Sequence, residues 1–263
     1  MSAENSNQLM GGQQTSSELK PRTLVFHYHL FKNAGTSVDE ILKKNFGRRW
    51  QAREFDVPWH DIPTAIMDFF REPNDLLAVS SHTALLPAPR IKGIDFFSLV
   101  FIRHPIDRLR SAYEFERIQE VDTLGAKLAK AHDFGGYLRE LLKNKHHRQA
   151  RNFQTFRLAL NERNGPDPEC ERAKRALETL SFIGLVEAYD RSIALLEQLL
   201  TPIFPDFLAI NVHRNVARSR ENDLETRLEK IKYHLGMDFY EEICALNEDD
   251  IALYNILKKK FGG

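Results

Sequence analysis

The near-continuous apolar run at residues 96–102, Phe-Phe-Ser-Leu-Val-Phe-Ile, constrains the fold of this chain more than any other segment. A strand with one face in water alternates apolar and polar residues, whereas this run has one polar position. It is typical of a parallel strand that is covered on both faces. Such a strand requires helices on both sides of its sheet.

Further strands and helices are predicted on either side of this run. Segments rich in β-branched and aromatic residues predict strands over residues 23–30 and 182–187, and a third strand ends at His82. Helices are predicted after Pro105 and over residues 37–44, 134–144, about 150–161, 168–180 and 189–200, with an extended piece at 208–215 in a mostly helical C-terminal third. Because strands alternate with helices, we predict an α/β domain with a central parallel sheet flanked by helices.

This alternation carries no internal repeat and no linker, so we expect one domain over residues 23–263. Residues 1–22 are polar and rich in Gly, Gln and Ser, which predicts a disordered leader without the apolar core of a secretion signal. No run approaches the roughly 18 apolar residues of a membrane span. The two cysteines lack metal-ligand spacing and suit a reducing compartment, so a cytoplasmic location is expected.

The formal net charge is zero, with 37 basic and 37 acidic residues. A general nucleic-acid binder carries a large basic excess, so this class is not expected. Attraction for anions must come from local clusters of charge.

Residues 30–37, Leu-Phe-Lys-Asn-Ala-Gly-Thr-Ser, join the first predicted strand to a helix, where an open α/β sheet binds anions. Gly35 allows close backbone approach, Thr36 and Ser37 add hydroxyl donors, and Lys32 adds a mobile positive charge. A nucleoside-triphosphate loop places its lysine after the second glycine, whereas this lysine precedes the glycine. A plain strand-to-helix turn with a solvated lysine and a capping serine is the alternative.

A second candidate anion site lies in residues 101–113. Arg103 is placed where a strand ends, and Ser111 falls about two turns into the following helix. Arginine offers a forked, permanently charged donor for phosphate, and the serine hydroxyl can complete the site. Alone, this segment could equally be the arginine-rich start of a surface helix.

Together the two segments resemble the sulfotransferases that use 3′-phosphoadenosine 5′-phosphosulfate (PAPS). The family patterns K-x-x-G-T-S and R-x-P-x-x-R-x-x-S-x-Y are matched by Lys32, Gly35, Thr36, Ser37, Arg103, Pro105, Arg108, Ser111 and Tyr113. The similarity is closest to the carbohydrate 2-O-sulfotransferases and their bacterial relatives. Further similar segments follow in family order at residues 81–82, 152–155, 182–187, 210–212 and 250–254.

The chain departs from this family at two places near the charged positions. Phe31 and Asn33 flank Lys32 where many relatives have Pro-Lys-Thr or Pro-Lys-Ala, and His104 replaces a residue that is often acidic. Neither change removes a charged group that would bind the donor. Both can alter access for the acceptor.

The resemblance implies a P-loop nucleotide-kinase-like fold and transfer of a sulfuryl group from PAPS to a hydroxyl, on a sugar or glycan. It assigns the 5′-phosphosulfate to Lys32, Asn33, Ala34, Gly35, Thr36 and Ser37, and the 3′-phosphate to Arg103 and Ser111. Arg214 and Arg218, in a basic segment after the last core segment, are predicted to lie in a loop that closes on the nucleotide. Fixed cations and amides make a metal ion unnecessary.

Histidine has a suitable pKa to deprotonate the acceptor hydroxyl. His82 ends a predicted strand at the ligand-binding edge and matches the base-bearing segment of the carbohydrate branch, so Lys32 and His82 are the predicted catalytic residues. The alternative for His82 is a hydrogen bond to a neighbouring loop. His27 and His29 share one strand face; without a third ligand at suitable spacing, they are predicted to be hydrogen-bonded core or cleft residues rather than metal ligands.

Two other functions stay open at this point. A nucleoside kinase-like phosphotransferase needs a lysine after the loop glycine and a magnesium-binding carboxylate, neither of which can be placed. A noncatalytic nucleotide- or glycan-binding module would bind the bisphosphate product without turnover. The basic segment 143–151 fits either a solvated helix–loop junction or a patch for an acidic substrate.

Overall fold

A computed structural model of the chain describes residues 21–209 and 223–262. Its sheet consists of β1 (Arg22–Tyr28), β2 (Trp50–Ala52), β3 (Ala78–Ser81), β4 (Ile94–Ile102) and β5 (Phe182–Leu185). The strand order is β2-β3-β1-β4-β5, and every neighbouring pair is parallel. The predicted α/β class with a central parallel sheet is confirmed.

The described helices are α1 (Gly35–Phe46), α2 (Ile62–Arg71), α3 (Pro105–Ile118), α4 (Leu124–Ala131), α5 (Phe134–Lys143), α6 (Phe153–Ala159), α7 (Glu169–Glu178), α8 (Tyr189–Leu200), α9 (Leu224–Leu235), α10 (Met237–Ala245) and α11 (Glu248–Gly262). Pro105 occupies the first helical position of α3, where a missing N–H costs nothing. Gly47 ends α1 with a φ of 53°. In the described ranges, no helix has the length and apolarity needed to cross a bilayer.

Several predicted boundaries differ from those observed. The first strand begins at Arg22 rather than 23, so this residue does not belong to the predicted leader; its guanidinium donates to Asn74 and anchors the strand end. Residues 1–20 of that leader lie outside the described residues. β2 was not predicted, because three residues are too few to show an alternating pattern.

The apolar run in β4 is buried on both faces, as its pattern predicted. Val100 and Ile102 belong to a cluster that contains residues of α2, α6, α7 and α11. Leu99 and Phe101 point the other way, into a cluster that contains residues of α1 and α8. The central strands are thus enclosed, and their carboxyl ends meet at one edge of the sheet.

A buried side-chain network joins the two predicted anion-binding segments at this edge. The Gln154 side-chain oxygen accepts from the Asn33 side chain at 2.7 Å and from the Arg103 amide at 3.0 Å. The Asp250 carboxylate accepts from the Gln154 backbone amide at 3.0 Å. It also accepts from the backbone amide and the hydroxyl of Thr155, both at 2.7 Å. Helices α6 and α11 therefore fix the loop after β1 relative to the end of β4.

Asp250→Ala would leave two buried amides and the Thr155 hydroxyl without their acceptor, so we expect it to lower the free energy of unfolding by about 3 kcal/mol. The matched control is Asp249→Ala, which removes one acceptor of the half-buried Asn152 side chain and should cost about 1 kcal/mol or less. Urea unfolding followed by circular dichroism measures both losses. Equal losses would show that the Asp250 contacts do not stabilise the fold.

Candidate functional site

The loop between β1 and α1 has a backbone shaped for an anion. Lys32 and Ala34 adopt left-handed conformations, with φ values of 65° and 61°. Such conformations are unfavourable for residues other than glycine and are typical of concave anion-binding turns. Within residues 21–209 and 223–262, no protein atom accepts a hydrogen bond from the amides of Ala34, Gly35 and Thr36. Three donors at the amino end of α1 are therefore open to an anion.

The Lys32 ammonium group lies 4.1 Å from the centre of the Phe115 ring, on the side of this loop facing α3. Burial and, to a smaller extent, Arg103 lower the pKa of Lys32 to about 8, and Glu114 partly opposes this shift. The Lys32 carbonyl accepts from the Arg103 guanidinium at 3.2 Å. The two predicted anion-binding segments are thus in direct contact.

Arg103, which lies between β4 and α3, is held by an acidic residue in the first turn of α3. Its guanidinium pairs with the buried Asp107 carboxylate at 2.8 Å, and Arg227 of α9 pairs with the same carboxylate at 2.8 Å. Burial acts to raise the pKa of Asp107, but the two arginines outweigh it and lower that pKa. Ser111 lies half-buried on α3. The i, i+4 spacing of Arg103 and Asp107 could have indicated their ion pair from the sequence. Arg227 could not be found in this way, because its helix is far away in sequence.

Asn33 and the loop hydroxyls differ in their surroundings. The Asn33 side chain is buried and donates to the Phe101 carbonyl and to Gln154, so only its backbone faces the loop. Thr36 is exposed and Ser37 is buried. Their donor-binding roles stay predictions. The predicted nucleotide-binding residues Arg214 and Arg218 lie outside the described residues.

His82 directly follows β3 and is oriented by a carboxylate that the sequence did not single out. Its Nδ1 lies 2.9 Å from a Glu54 oxygen, and the same carboxylate accepts from the amides of His82 and Thr83 at 3.0 Å. Burial acts to raise the pKa of Glu54, but these hydrogen bonds outweigh it and lower the pKa to about 2. Since an ionised carboxylate only accepts, Nδ1 carries a proton, which leaves Nε2 as the ring nitrogen that can act as a base.

Two further histidines form a second pair with a carboxylate beside His82. His27 and His29 donate through Nδ1 to the two oxygens of Asp39 at 2.8 and 2.9 Å. They are hydrogen-bonded, as predicted, but the expectation that no third ligand lies near them is wrong, because Asp39 of α1 faces both rings. These ligand atoms lie within 4.8 Å of one another, near enough to hold a cation. The hydrogen-bonded arrangement is complete by itself, and the absence of a metal requirement stays a prediction.

His29 connects the candidate base to the anion-binding loop. Its ring stacks on that of His82 with the centroids 3.9 Å apart. The His29 ring also occupies the space that a side chain at residue 35 would need, since a Cβ on Gly35 would lie 1.9 Å from His29 Cδ2. The loop glycine is therefore required for close approach of this imidazole.

A half-buried acid follows β5 and contacts the residue after Arg103. Glu187 accepts from the His104 amide at 2.8 Å through one carboxylate oxygen. Burial raises the pKa of Glu187 to about 7 and lowers the pKa of His104 to about 4. Glu187 can therefore hold a proton near neutral pH, and it is a second titratable group at this sheet edge.

The basic segment 143–151 has partners within the protein. Arg148 pairs with Glu169, and Arg151 donates to the carbonyl groups of Leu142 and Asn144. These contacts favour the helix–loop junction over a patch for an acidic substrate.

Comparison with known proteins places the chain among sulfotransferases. The pattern described as "Sulfotransferase family" matches residues 19–255. An uncharacterized protein of Archaeoglobus fulgidus is 39% identical over 241 residues, which cover 89% of this chain and 95% of that protein. A sulfotransferase structure from Alicyclobacillus acidocaldarius shows 16% identity and a TM-score of 0.37, covering 89% of this chain and 96% of the other. That structural likeness is too low to locate any site residue.

Proposed function

Because the chain belongs to the sulfotransferase family, we propose that it moves the sulfuryl group of PAPS to a hydroxyl of a carbohydrate acceptor. One observation supports this proposal above the others: a loop with three open amides and a lysine lies beside a carboxylate-oriented histidine. The first feature suits a transferable anion, and the second suits removal of a proton from a hydroxyl.

The donor carries two separate anionic groups, and the sheet edge offers two cationic segments. The 5′-phosphosulfate would lie on the amides of Ala34, Gly35 and Thr36, next to Lys32. The 3′-phosphate would lie at Arg103 and Ser111. The contact between Arg103 and the Lys32 carbonyl keeps these two regions adjacent, as one donor molecule that spans both requires.

Transfer follows as an in-line displacement. The acceptor oxygen attacks sulfur while its proton passes to Nε2 of His82, and Glu54 stabilises the imidazolium that forms. The bond between sulfur and the bridging oxygen breaks, and its electron pair goes to the departing 5′-phosphate. Lys32 and the loop amides neutralise this developing charge. Because these charges and dipoles are fixed, the proposed reaction needs no metal ion.

The product adenosine 3′,5′-bisphosphate tests the donor assignment. At about 100 times its dissociation constant it should raise the melting temperature by roughly 5–10 °C, since it occupies both anionic regions. AMP and ATP lack the 3′-phosphate and should stabilise the protein far less at the same concentration. Ser111→Ala should reduce the difference between the melting-temperature shifts that the bisphosphate and AMP produce. Equal shifts from AMP and the bisphosphate would remove the reason for placing a 3′-phosphate at Arg103.

The depressed pKa of Lys32 predicts the alkaline limb of the activity profile. The ammonium charge is present below about pH 8 and is lost above it, so kcat/KM for the donor should fall as the pH rises through this value. Lys32→Arg keeps its charge throughout and should lower kcat/KM while removing this limb. Lys43→Arg, an exposed site on α1, is the matched control and should leave the limb unchanged. A limb that persists in Lys32→Arg would assign the titration to another group.

A further inference from the structure

We propose that His29 is an anion-binding residue of the first loop and takes up a proton when that loop is filled. Donor binding would then place an imidazolium next to the ring of His82. The inference rests on the proposed function only in naming PAPS as the physiological anion. It concerns a residue that the family patterns K-x-x-G-T-S and R-x-P-x-x-R-x-x-S-x-Y do not contain.

The position of the His29 ring carries the first step. The Cβ position of Gly35 lies 2.1 Å from His29 Nε2, so this edge of the imidazole lies against the first residue of α1. The amides of Gly35 and its neighbours are the donors left open in the described part of the chain. An anion on those amides therefore has His29 Nε2 at its border.

Asp39 determines which nitrogen of the His29 ring carries the proton. Nδ1 lies 2.9 Å from an Asp39 oxygen, which can only accept, so the Nδ1 proton is fixed there. In the described residues, Nε2 of His29 has no hydrogen-bond partner. A neutral ring would turn a lone pair toward the anion, whereas an imidazolium turns an N–H donor toward it. Anion binding and protonation of His29 must therefore favour each other.

The groups that face His29 set its pKa in the absence of an anion. Burial lowers its pKa, His27 on the same strand and His82 after β3 lower it further, and Asp39 on α1 opposes them. Glu54 lies behind His82 and is already paired with it. Without an anion, the ring is therefore neutral at neutral pH. An opposite charge within about 4–6 Å raises the pKa of an imidazole by roughly 1–3 units, which favours protonation of the ring.

His27 provides an internal comparison, because it shares Asp39 with His29 but not the loop. Its ring is buried and its Nδ1 also lies 3.2 Å from the Ser80 hydroxyl. Two residues earlier on the strand, it lies roughly 7 Å farther from the sheet edge. A change that depends on contact with the anion should therefore appear at His29 and not at His27.

Nitrogen-15 NMR of the histidine rings measures this directly. The full chain is titrated with acid in EDTA, without an anion, with adenosine 3′,5′-bisphosphate, and with inorganic sulfate. We expect either anion to raise the pKa of His29 by roughly 1–3 units and that of His27 by less than half as much. His29→Asn, which keeps a donor for Asp39 but has nothing at the Nε2 position, assigns the resonance.

Calorimetry in two buffers of different ionisation enthalpy gives an independent readout of proton uptake. Bisphosphate binding to the native chain should take up more protons than binding to His29→Asn. His27→Asn makes the same substitution at the other partner of Asp39 and should retain the native uptake. Proton changes on the bisphosphate itself are common to all three proteins and cancel in the comparison.

The outcomes separate this inference from the proposed donor. If sulfate raises the pKa of His29 while the bisphosphate changes no resonance, the donor assignment fails and the role of His29 stands. The inference is wrong if either anion shifts the NMR resonances of the loop amides but leaves the pKa of His29 unchanged. It is also wrong if the anion raises the pKa of His27 as much as that of His29. If neither anion perturbs the loop, both proposals are wrong.

Discussion

The buried amide side chain of Gln154 is the contact on which the geometry of the whole site depends. It binds the Asn33 side chain and the Arg103 amide at once, and Asp250 holds the backbone on either side of it. Parallel strands bring their carboxyl ends to one edge but leave the following loops free to vary. These hydrogen bonds hold the two loops in one arrangement. The separation of the two cationic segments is therefore set by α6 and α11, which are distant in sequence from both loops.

Three histidines at this edge and Arg103 each pair with a carboxylate. Asp39 faces His27 and His29, Glu54 faces His82, and Asp107 faces Arg103. A carboxylate that accepts from one edge of an imidazole leaves the other edge for a ligand, and it also fixes the ring orientation. A chain of zero net charge can thus present an organised anion site, because the charges are ordered locally rather than in excess.

The sequence predicted the fold and the edge of the sheet at which the candidate residues meet, because these follow from local patterns. The apolar run of β4 identified an enclosed parallel strand, and the glycine and lysine of the first loop marked a strand-to-helix junction. The partners were not predictable: Glu54 lies in a segment without a motif, and Asp39 looks like an ordinary polar residue on an amphipathic helix. Asn33 was placed among the donor-binding residues, yet its side chain supports the loop from within. Such contacts depend on the three-dimensional arrangement, which no periodicity encodes.

Transfer of radiolabelled sulfur from PAPS to a library of carbohydrate acceptors tests the central claim most directly. The native chain should label at least one hydroxyl-bearing sugar. His82→Asn, which can hydrogen-bond but cannot accept the proton, should transfer roughly two to four orders of magnitude more slowly while still being stabilised by adenosine 3′,5′-bisphosphate. Bisphosphate binding with no label on any acceptor would contradict the account and indicate a binding module. Near-native transfer by His82→Asn would contradict the assignment of the base.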